Sequence, residues 1–233
     1  MSVLTVGLVL FPKLTQLDLT GPYEVFSRMP DTTVYLTAAS AEPVVSERGL
    51  TIAPNVTFDR TPSLDILCVP GGPGVNPMME DAAMLRFLAA QGEHARYVTS
   101  VCTGALLLGA AGLLRGYRAT THWLSLDLLP LFGAQIVEER VVVDRNRITG
   151  GGVTAGIDFA LVVASEVFGV AVAREIQLMI EYDPAPPFPG GSRSTAPADL
   201  VKRVTERRQD IQTERRRIAE RAAAHLSADA RLE

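Results

Sequence analysis

Long apolar runs that end at a turn and lead into a helix are the feature that most constrains how this chain folds. Residues 3–11, 65–70 and 96–101 are three such runs, rich in leucine and β-branched side chains. Uninterrupted apolar runs of this length are typical of parallel strands buried on both faces. Because helical segments separate the runs, we predict an α/β fold, a mostly parallel sheet covered by helices on both faces.

Length, charge and cysteine content limit the class of protein. The 233 residues, 47% of them hydrophobic, can bury one sizeable core. The formal net charge of -4 argues against a general nucleic-acid binder or a protein that binds anionic membranes, because both classes normally carry a basic excess. No apolar run is long enough to span a bilayer, and the first residues lack the features of a signal peptide. With two cysteines and no export signal, we expect a reducing cytoplasm.

The predicted elements divide the chain into two units. Residues 1–190 form the α/β domain, and residues 191–233 add a loop rich in proline and glycine and then a helical extension. The stretch D-L-T-G-P predicts a helix over 23–29, since proline is favoured in a first helical turn. Residues 136–144 are predicted as a pair of short strands, and 198–226 as one charged helix with a thin apolar seam.

Cys102 lies where the strand over residues 96–101 turns directly into a predicted helix. This is the arrangement of a nucleophile elbow, in which a sharp turn exposes a side chain above the sheet. The free N–H groups at the start of the helix favour a thiolate. Free cysteines are also among the most buried residues, and the sequence alone leaves core filler and nucleophile about equally favoured. Cys68, in the middle of another predicted strand, is interpreted as core.

The stretch G-G-P-G at 71–74 follows the strand that contains Cys68. Glycines let backbone N–H groups approach a ligand closely, and ligands of open α/β sheets bind beyond the carboxyl ends of the strands. The N–H groups of Gly72 and Thr103 are therefore candidates for a pair of oxyanion donors. An ordinary tight turn is the alternative. The pattern of a P-loop is absent, so no nucleotide phosphate site is predicted.

Asp18 follows the first strand and is predicted to lie at the same edge of the sheet as Cys102. By pattern alone, a helix cap is the favoured interpretation of Asp18. A carboxyl group that faces a cysteine in a poorly solvated pocket tends to be protonated, because burial disfavours its charge. Such a neutral carboxyl group can donate a hydrogen bond to a thiolate and transfer its proton.

Three histidines are present, and only His122 is a candidate for the site, because His94 is predicted on a surface turn and His225 in the tail. A hydrogen-bonded structural role is at least as favoured for His122. Gly152 and Val153 are further candidates for the pocket, since their loop precedes a helix as the Cys102 turn does. No histidine, cysteine and carboxylate cluster has the spacing of metal ligands, so no metal is expected.

The tail, K-R-V-T-E-R-R-Q-D-I-Q-T-E-R-R-R, carries many arginines with acidic residues between them. Opposite charges at helical spacing are typical of a solvated face with side-chain pairs. The segment is too short and too mixed in charge for two DNA-recognition helices, so no nucleic-acid partner is expected. Packing of this helix on the domain or on a partner subunit is the favoured interpretation.

Several motifs together resemble a known family. V-T-S-V-C-T-G-A-L-L-L-G-A-A-G-L-L-R-G, followed by R-A-T-T-H-W, resembles the ThiJ/PfpI superfamily. Q-L-D-L-T-G-P, C-V-P-G-G-P-G-V, T-G-G-G-V-T-A-G-I-D-F-A-L and I-E-Y-D-P-A-P-P-F are similar to its isocyanide hydratase branch. The resemblance covers nearly the whole chain. It implies a flavodoxin-like, glutamine-amidotransferase-like fold, a homodimer, no cofactor, and hydration of isocyanides to N-substituted formamides.

The resemblance also implies roles for individual residues. The family's nucleophile falls on Cys102, its acidic partner on Asp18, and its backbone donors on Gly72 and Thr103. Many superfamily members have glutamate in place of Asp18, and proteolytic members have histidine in place of Thr103. The implied mechanism passes through a covalent thioimidate on Cys102, with Asp18 as proton donor and then as base. A ligand or oxidant sensor and another small-molecule cysteine hydrolase are the alternatives.

Overall fold

A seven-stranded sheet is the centre of the molecule, which is described by a computed structural model over residues 3–229. Its strand order is β10-β11-β7-β6-β1-β2-β5, and every neighbouring pair is parallel except β10 and β11. The strands are β1 (Leu4–Val9), β2 (Thr32–Ala38), β3 (Val44–Val45), β4 (Thr51–Ile52), β5 (Val56–Thr57), β6 (Ile66–Val69), β7 (Tyr97–Val101), β8 (Arg118–Ala119), β9 (Gln135–Ile136), β10 (Val141–Asp144) and β11 (Arg147–Gly150). The predicted mostly parallel sheet is confirmed.

Helices flank this sheet in two groups. The helices are α1 (Gln16–Phe26), α2 (Val75–Met78), α3 (Ala82–His94), α4 (Gly104–Ala110), α5 (Ala155–Phe168), α6 (Val170–Met179), α7 (Ala198–Arg207) and α8 (Gln209–Asp229), with a 3-10 helix at Trp123–Phe132. Helices α1 and α6 both pack against α5, while α2, α4, α8 and the 3-10 helix form the other group, with α3 against α4. The α/β class is therefore confirmed.

The central strands explain the apolar runs of the sequence. Every residue of β6 is buried, and so are the last four residues of both β1 and β7. A strand covered on both faces cannot alternate apolar and polar side chains, because both of its faces are removed from water. The carboxyl ends of these three strands lead into α1, the 71–74 loop and α4, which brings the candidate residues to one edge.

Helix α1 begins earlier than the sequence predicts. It starts at Gln16 rather than at residue 23, so that Pro22 lies inside it and Asp18 in its first turn, while Thr15 is the N-cap. Helix α1 continues through Pro22 and packs against α5. A Cβ added at Gly156 would lie 3.2 Å from Pro22 Cδ, which shows how closely the two helices approach.

Two further predictions need correction. The two short strands predicted over 136–144 are present as β9 and β10, but they do not pair with each other, because β9 pairs in parallel with β8 and β10 pairs antiparallel with β11. The tail is two helices, α7 and α8, which Arg208 separates. The break lets α8 turn onto the α4 side of the molecule, where Ile218, Ala219 and Ala222 are buried. Residues 1–2 and 230–233, the outer ends of the two predicted units, lie outside the described residues.

Residues 3–229 contain no helix that is both long enough and apolar enough to cross a membrane.

Candidate active site

Cys102 forms a sharp turn between β7 and α4. Its φ of 54° lies in the left-handed region, which is uncommon for residues other than glycine. Three hydrogen bonds hold this backbone. The Cys102 N–H donates to the carbonyl oxygens of Gly150 (3.0 Å) and Gly151 (2.8 Å), and the Thr121 hydroxyl donates to the Cys102 carbonyl at 2.7 Å. The turn has the form of the predicted nucleophile elbow, and the 150–153 loop does pack against it.

Glycine is required directly after this turn, at the start of α4. A Cβ on Gly104 would lie only 2.1 Å from the Val69 carbonyl oxygen, so α4 can begin this close to β6 only without a side chain. This close approach places Cys102 beside the loop that follows β6.

Asp18 is the acidic group that the structure brings to Cys102. It is completely buried, and its Oδ2 accepts a hydrogen bond from the Gly71 N–H at 3.0 Å. Its Oδ1 has no hydrogen bond of good geometry within residues 3–229. The Cys102 side chain nevertheless lies close enough to share a proton with the carboxyl group. Burial raises the pKa of Asp18 to about 7, against the hydrogen bonds from Cys102 and Gly71, in the direction the sequence predicts.

The Cys102 thiol does not have the lowered pKa that its position before a helix predicts. Burial raises its pKa well above the usual value, and the charge of Asp18 raises it further. The Thr103 N–H and the guanidinium of Arg215 act in the opposite direction but do not outweigh burial. The charge of Asp18 disfavours the thiolate, whereas the Cys102 thiol donates a hydrogen bond that favours the Asp18 carboxylate. Cys102 and Asp18 therefore titrate as a coupled pair, which first takes on a single negative charge.

Of the two predicted oxyanion donors, the N–H groups of Gly72 and Thr103, the first is already used in a hydrogen bond. The Gly72 N–H donates to the Thr103 hydroxyl at 2.9 Å, so it is not a free donor in this structure. Gly72 has a φ of +129°, a backbone conformation that favours glycine. The Thr103 N–H faces the sulfur of Cys102. The Thr103 N–H is therefore still a candidate donor to a ligand on Cys102, whereas the prediction of a free donor at Gly72 needs correction.

Replacing Gly71 with alanine should disturb this site directly. A Cβ there would lie 2.5 Å from Thr103 N, 2.7 Å from Thr103 Oγ1 and 2.8 Å from Asp18 Oδ2, so that some of these groups must move. We expect Gly71→Ala to lower the free energy of unfolding by about 1–3 kcal/mol, as overpacking typically does, and to reduce turnover. Urea denaturation and steady-state kinetics measure the two effects.

Gly191→Ala is the matched control, because a Cβ at that position meets nothing within 4 Å. Equal effects of the two substitutions on stability and on kinetics would contradict the assigned role of Gly71.

A small pocket of about 90 Å³ opens onto Cys102. Val153 and His122 both line it, as predicted, while Gly152 lies behind His122 and is not part of the lining. Burial lowers the pKa of His122 to about 4, helped by the nearby charges of Arg215 and Arg208, so that the imidazole is neutral near pH 7. Its Nδ1 accepts a hydrogen bond from the Leu124 N–H at 3.3 Å. These observations favour a structural or binding role for His122.

The tail supplies a wall of the pocket that the sequence analysis missed. Four of its residues line the pocket, namely Arg208, Ile211, Gln212 and Arg215. A signal for this was present, because Arg215 lies four positions after Ile211 and three before Ile218, on the face of the apolar seam. An arginine on such a face is a candidate for burial.

Within residues 3–229, no group of three or more histidine, cysteine, aspartate or glutamate side chains is arranged to hold a metal ion.

The mostly parallel sheet flanked by helices agrees with comparisons to known proteins. The model of the DJ-1/PfpI family matches residues 4–166. The chain belongs to this family. It is 54% identical over 224 residues to an isonitrile hydratase of Pseudomonas putida, which covers 96% of this chain and 98% of the relative. The resemblance to the ThiJ/PfpI superfamily noted from the motifs is confirmed.

Two other similar proteins show how far the likeness extends. A ThiJ/PfpI family protein from Pseudomonas syringae has a TM-score of 0.91 and 44% identity, covering 94% of this chain and 91% of that one. The HTH-type transcriptional regulator GbdR of Pseudomonas aeruginosa is 34% identical over 137 residues, which is 58% of this chain but 37% of the regulator. Helices α7 and α8 lie beyond the residues that the family model matches.

Proposed function

We propose that this protein hydrates isocyanides (isonitriles), adding water to the terminal carbon to give an N-substituted formamide. The observation that carries the proposal is the pairing of Cys102, at the strained turn, with the buried Asp18. The 54% identity to an isonitrile hydratase, which extends over 96% of this chain, supports the same chemistry. Neither step of the proposed reaction is an oxidation or a reduction, so side chains and water suffice for it.

In the first step, sulfur attacks the terminal carbon of the isocyanide and Asp18 protonates that carbon. The coupled pair enters this step with one proton and one negative charge. A C–S bond and a C–H bond form, the carbon–nitrogen triple bond becomes a double bond, and Asp18 is left as a carboxylate. The product is a thioimidate on Cys102. The raised pKa of Asp18, about 7, suits a group that must first hold and then release a proton near neutral pH.

In the second step, water attacks the same carbon and Asp18 acts as base. Asp18 takes a proton from water and passes it to the nitrogen, which gives a tetrahedral adduct. Collapse of this adduct forms the carbonyl group and breaks the C–S bond, while the hydroxyl proton returns to Asp18. The formamide leaves and the original pair is restored. Splitting one hydration into two additions in this way is covalent catalysis.

Thr103 has two roles in this proposal. Its N–H faces the sulfur and stabilises negative charge there, because the amide belongs to the start of α4. Its hydroxyl accepts the Gly72 N–H at 2.9 Å and thereby ties the 71–74 loop to the elbow.

The size of the pocket fits a slim reactive group. About 90 Å³ leaves room for only a few heavy atoms beside Cys102. The linear isocyanide group is narrow enough to reach the sulfur, while its substituent lies toward the mouth. We propose that His122 and Val153 contact the part of the substrate next to the nitrogen.

We further propose that the enzyme works as a homodimer in the cytoplasm. Leu178, Met179 and Phe188 are strongly exposed apolar side chains, and they supply a surface suited to a second subunit. Both cysteines are free thiols, which fits a reducing compartment.

The alternative of an oxidant sensor has less support. Cys102 is only 5% exposed, and burial raises the pKa of its thiol. Sensor cysteines are exposed and have a low pKa, because the thiolate is the form that peroxide oxidises.

A hydration assay with labelled water tests the proposal. Purified protein is incubated with an aryl isocyanide, and loss of the isocyanide is followed by absorbance. In ¹⁸O-water we expect one ¹⁸O atom in the formamide, and in D₂O we expect deuterium on its formyl carbon, since both atoms come from solvent. Heat-denatured protein is the control. A folded protein that yields no formamide above the uncatalysed rate would overturn the proposal.

A further inference from the structure

Arg215 is a buried cation that forms no ion pair with an acidic side chain in the part of the chain that the structure describes. It extends from α8 and is only 5% exposed. Its Nε donates to Asn76 Oδ1 at 2.8 Å, one Nη to Ser125 Oγ at 3.2 Å and the other to the Gly72 carbonyl at 3.4 Å. All three acceptors are neutral. Among residues 3–229 the guanidinium forms no ion pair, although buried arginines are rarely found unpaired.

The charge of this guanidinium faces the pocket that contains Cys102. Three other titratable or charged side chains line the pocket beside Cys102 and Arg215, namely Glu47, His122 and Arg208, and Asp18 is buried beside Cys102. His122 is neutral near pH 7, Arg208 is itself a cation, and Glu47 accepts a hydrogen bond from the Thr15 hydroxyl at 2.7 Å. Among the acidic groups around the pocket, Cys102 is the one whose negative charge stabilises the charge of Arg215, and Arg215 in turn lowers the pKa of Cys102.

A short path of hydrogen bonds also joins Arg215 to the nucleophile. The guanidinium holds the Gly72 carbonyl, and the Gly72 N–H donates to the hydroxyl of Thr103, the residue after Cys102. The adjacent Gly71 N–H donates to Asp18. Arg215 therefore anchors the loop that touches both members of the pair.

We propose that Arg215 is a positioning residue that keeps the negative charge on the Cys102–Asp18 pair and fixes the 71–74 loop, so that the C-terminal helix α8 is part of the active site. The reactive pair itself is that of the proposed function, and this inference rests on it. The family model ends at residue 166, so this charge comes from a part of the chain outside the shared domain. A protein that contains only this domain lacks the helix that carries Arg215.

The test measures the ionisation of Cys102 with no isocyanide present. The rate of alkylation by iodoacetamide, a neutral reagent, is measured against pH, and mass spectrometry assigns the product to Cys102. In Arg215→Met we expect the half-maximal rate to move to higher pH, and the rate below that midpoint to fall by about tenfold or more, because a nearby cation favours the charged form. Arg215→Lys keeps a positive charge and should shift the midpoint less.

Arg217→Met is the matched control, since Arg217 lies on the same helix but is 69% exposed and pairs with Glu214 at 3.8 Å. It should leave the alkylation profile unchanged. Circular dichroism checks that each variant is folded. If Arg215→Met does not fold, Arg215→Gln carries the same expectation, because its amide can still donate toward Ser125.

Two results would overturn the inference. One is a folded Arg215 variant without charge whose alkylation profile matches that of the unaltered protein. The other is an equal shift in Arg215→Lys and Arg215→Met, which would show that the charge has no part in the effect. A shifted profile in a protein that hydrates no isocyanide would refute the proposed function alone. Hydration with an unshifted profile would refute this inference alone.

Discussion

Cys102→Ala should abolish isocyanide hydration while the protein stays folded. The sulfur forms the bond to the substrate carbon, and no other described side chain in the pocket is a nucleophile of comparable strength. We expect turnover to fall by at least about 10⁴-fold, as it does when a covalent nucleophile is removed from other enzymes. Formamide production measures the loss. In the unaltered protein, an intact-mass increase equal to the isocyanide should map to Cys102.

Cys68→Ala is the control for this prediction. Cys68 is fully buried in β6, and burial raises the pKa of its thiol to about 12, so it is inert. This variant should keep its turnover and lose only about 1 kcal/mol of stability, because a small buried group is removed. Full activity in Cys102→Ala, or an adduct on Cys68, would contradict the assignment.

Asp18→Asn should remove most of the activity and yet stabilise the fold at neutral and higher pH. Asparagine can still accept the Gly71 N–H, but it cannot donate a proton to carbon or take one from water. We expect turnover to fall by about 10²–10⁴-fold, the usual contribution of a general acid and base. Steady-state kinetics at pH 7 measure the loss, and activity within about threefold of the unaltered protein would contradict the role.

The stability effect has a sign that follows from the raised pKa. The pKa of Asp18 is about 7 in the folded protein against an ordinary value of 3.8, so between these values the folded protein keeps a proton that the unfolded chain loses. The contribution of protonated Asp18 to the free energy of unfolding is therefore fully present at low pH, and it is lost as the pH rises toward 7. At pH 8 we expect the free energy of unfolding of Asp18→Asn to exceed that of the unaltered protein by about 1–3 kcal/mol. At pH 3 we expect no such increase.

Urea denaturation at the two pH values measures this difference. Asp183→Asn, at an exposed position, is the matched control and should show the same stability change at both pH values. An Asp18→Asn variant that is less stable than the unaltered protein at pH 8 would contradict this prediction, because it would show that the buried site favours the carboxylate.

The backbone frame of the site could be predicted from the sequence. Apolar runs that are buried on both faces give parallel strands, and the carboxyl ends of parallel strands meet at one edge. This reasoning brings Asp18, the 71–74 loop and Cys102 together before any coordinates are known. This inference depends only on strand direction and chain order, and the pattern of apolar residues indicates both.

The details that depend on side-chain packing could not be predicted in this way. The amide of Gly72 is used by the Thr103 hydroxyl because the two segments touch, and nothing in G-G-P-G signals that contact. Burial reversed the expected pKa shift of Cys102, because the depth of the turn outweighs the helix terminus. Arg215 sits in a segment so rich in exposed charges that one buried arginine is hidden among the solvated ones.

The position of Arg215 in the chain also sets the order in which the molecule is completed during folding. Its contacts to Gly72 and Asn76 join residues 143 and 139 positions apart. Contacts of such long range carry a large loop-closure entropy and form after local strand and helix units. We therefore expect the contacts of α8 to form late in folding. In a refolding chain, Cys102 should then react with an alkylating reagent faster than it does in the native protein.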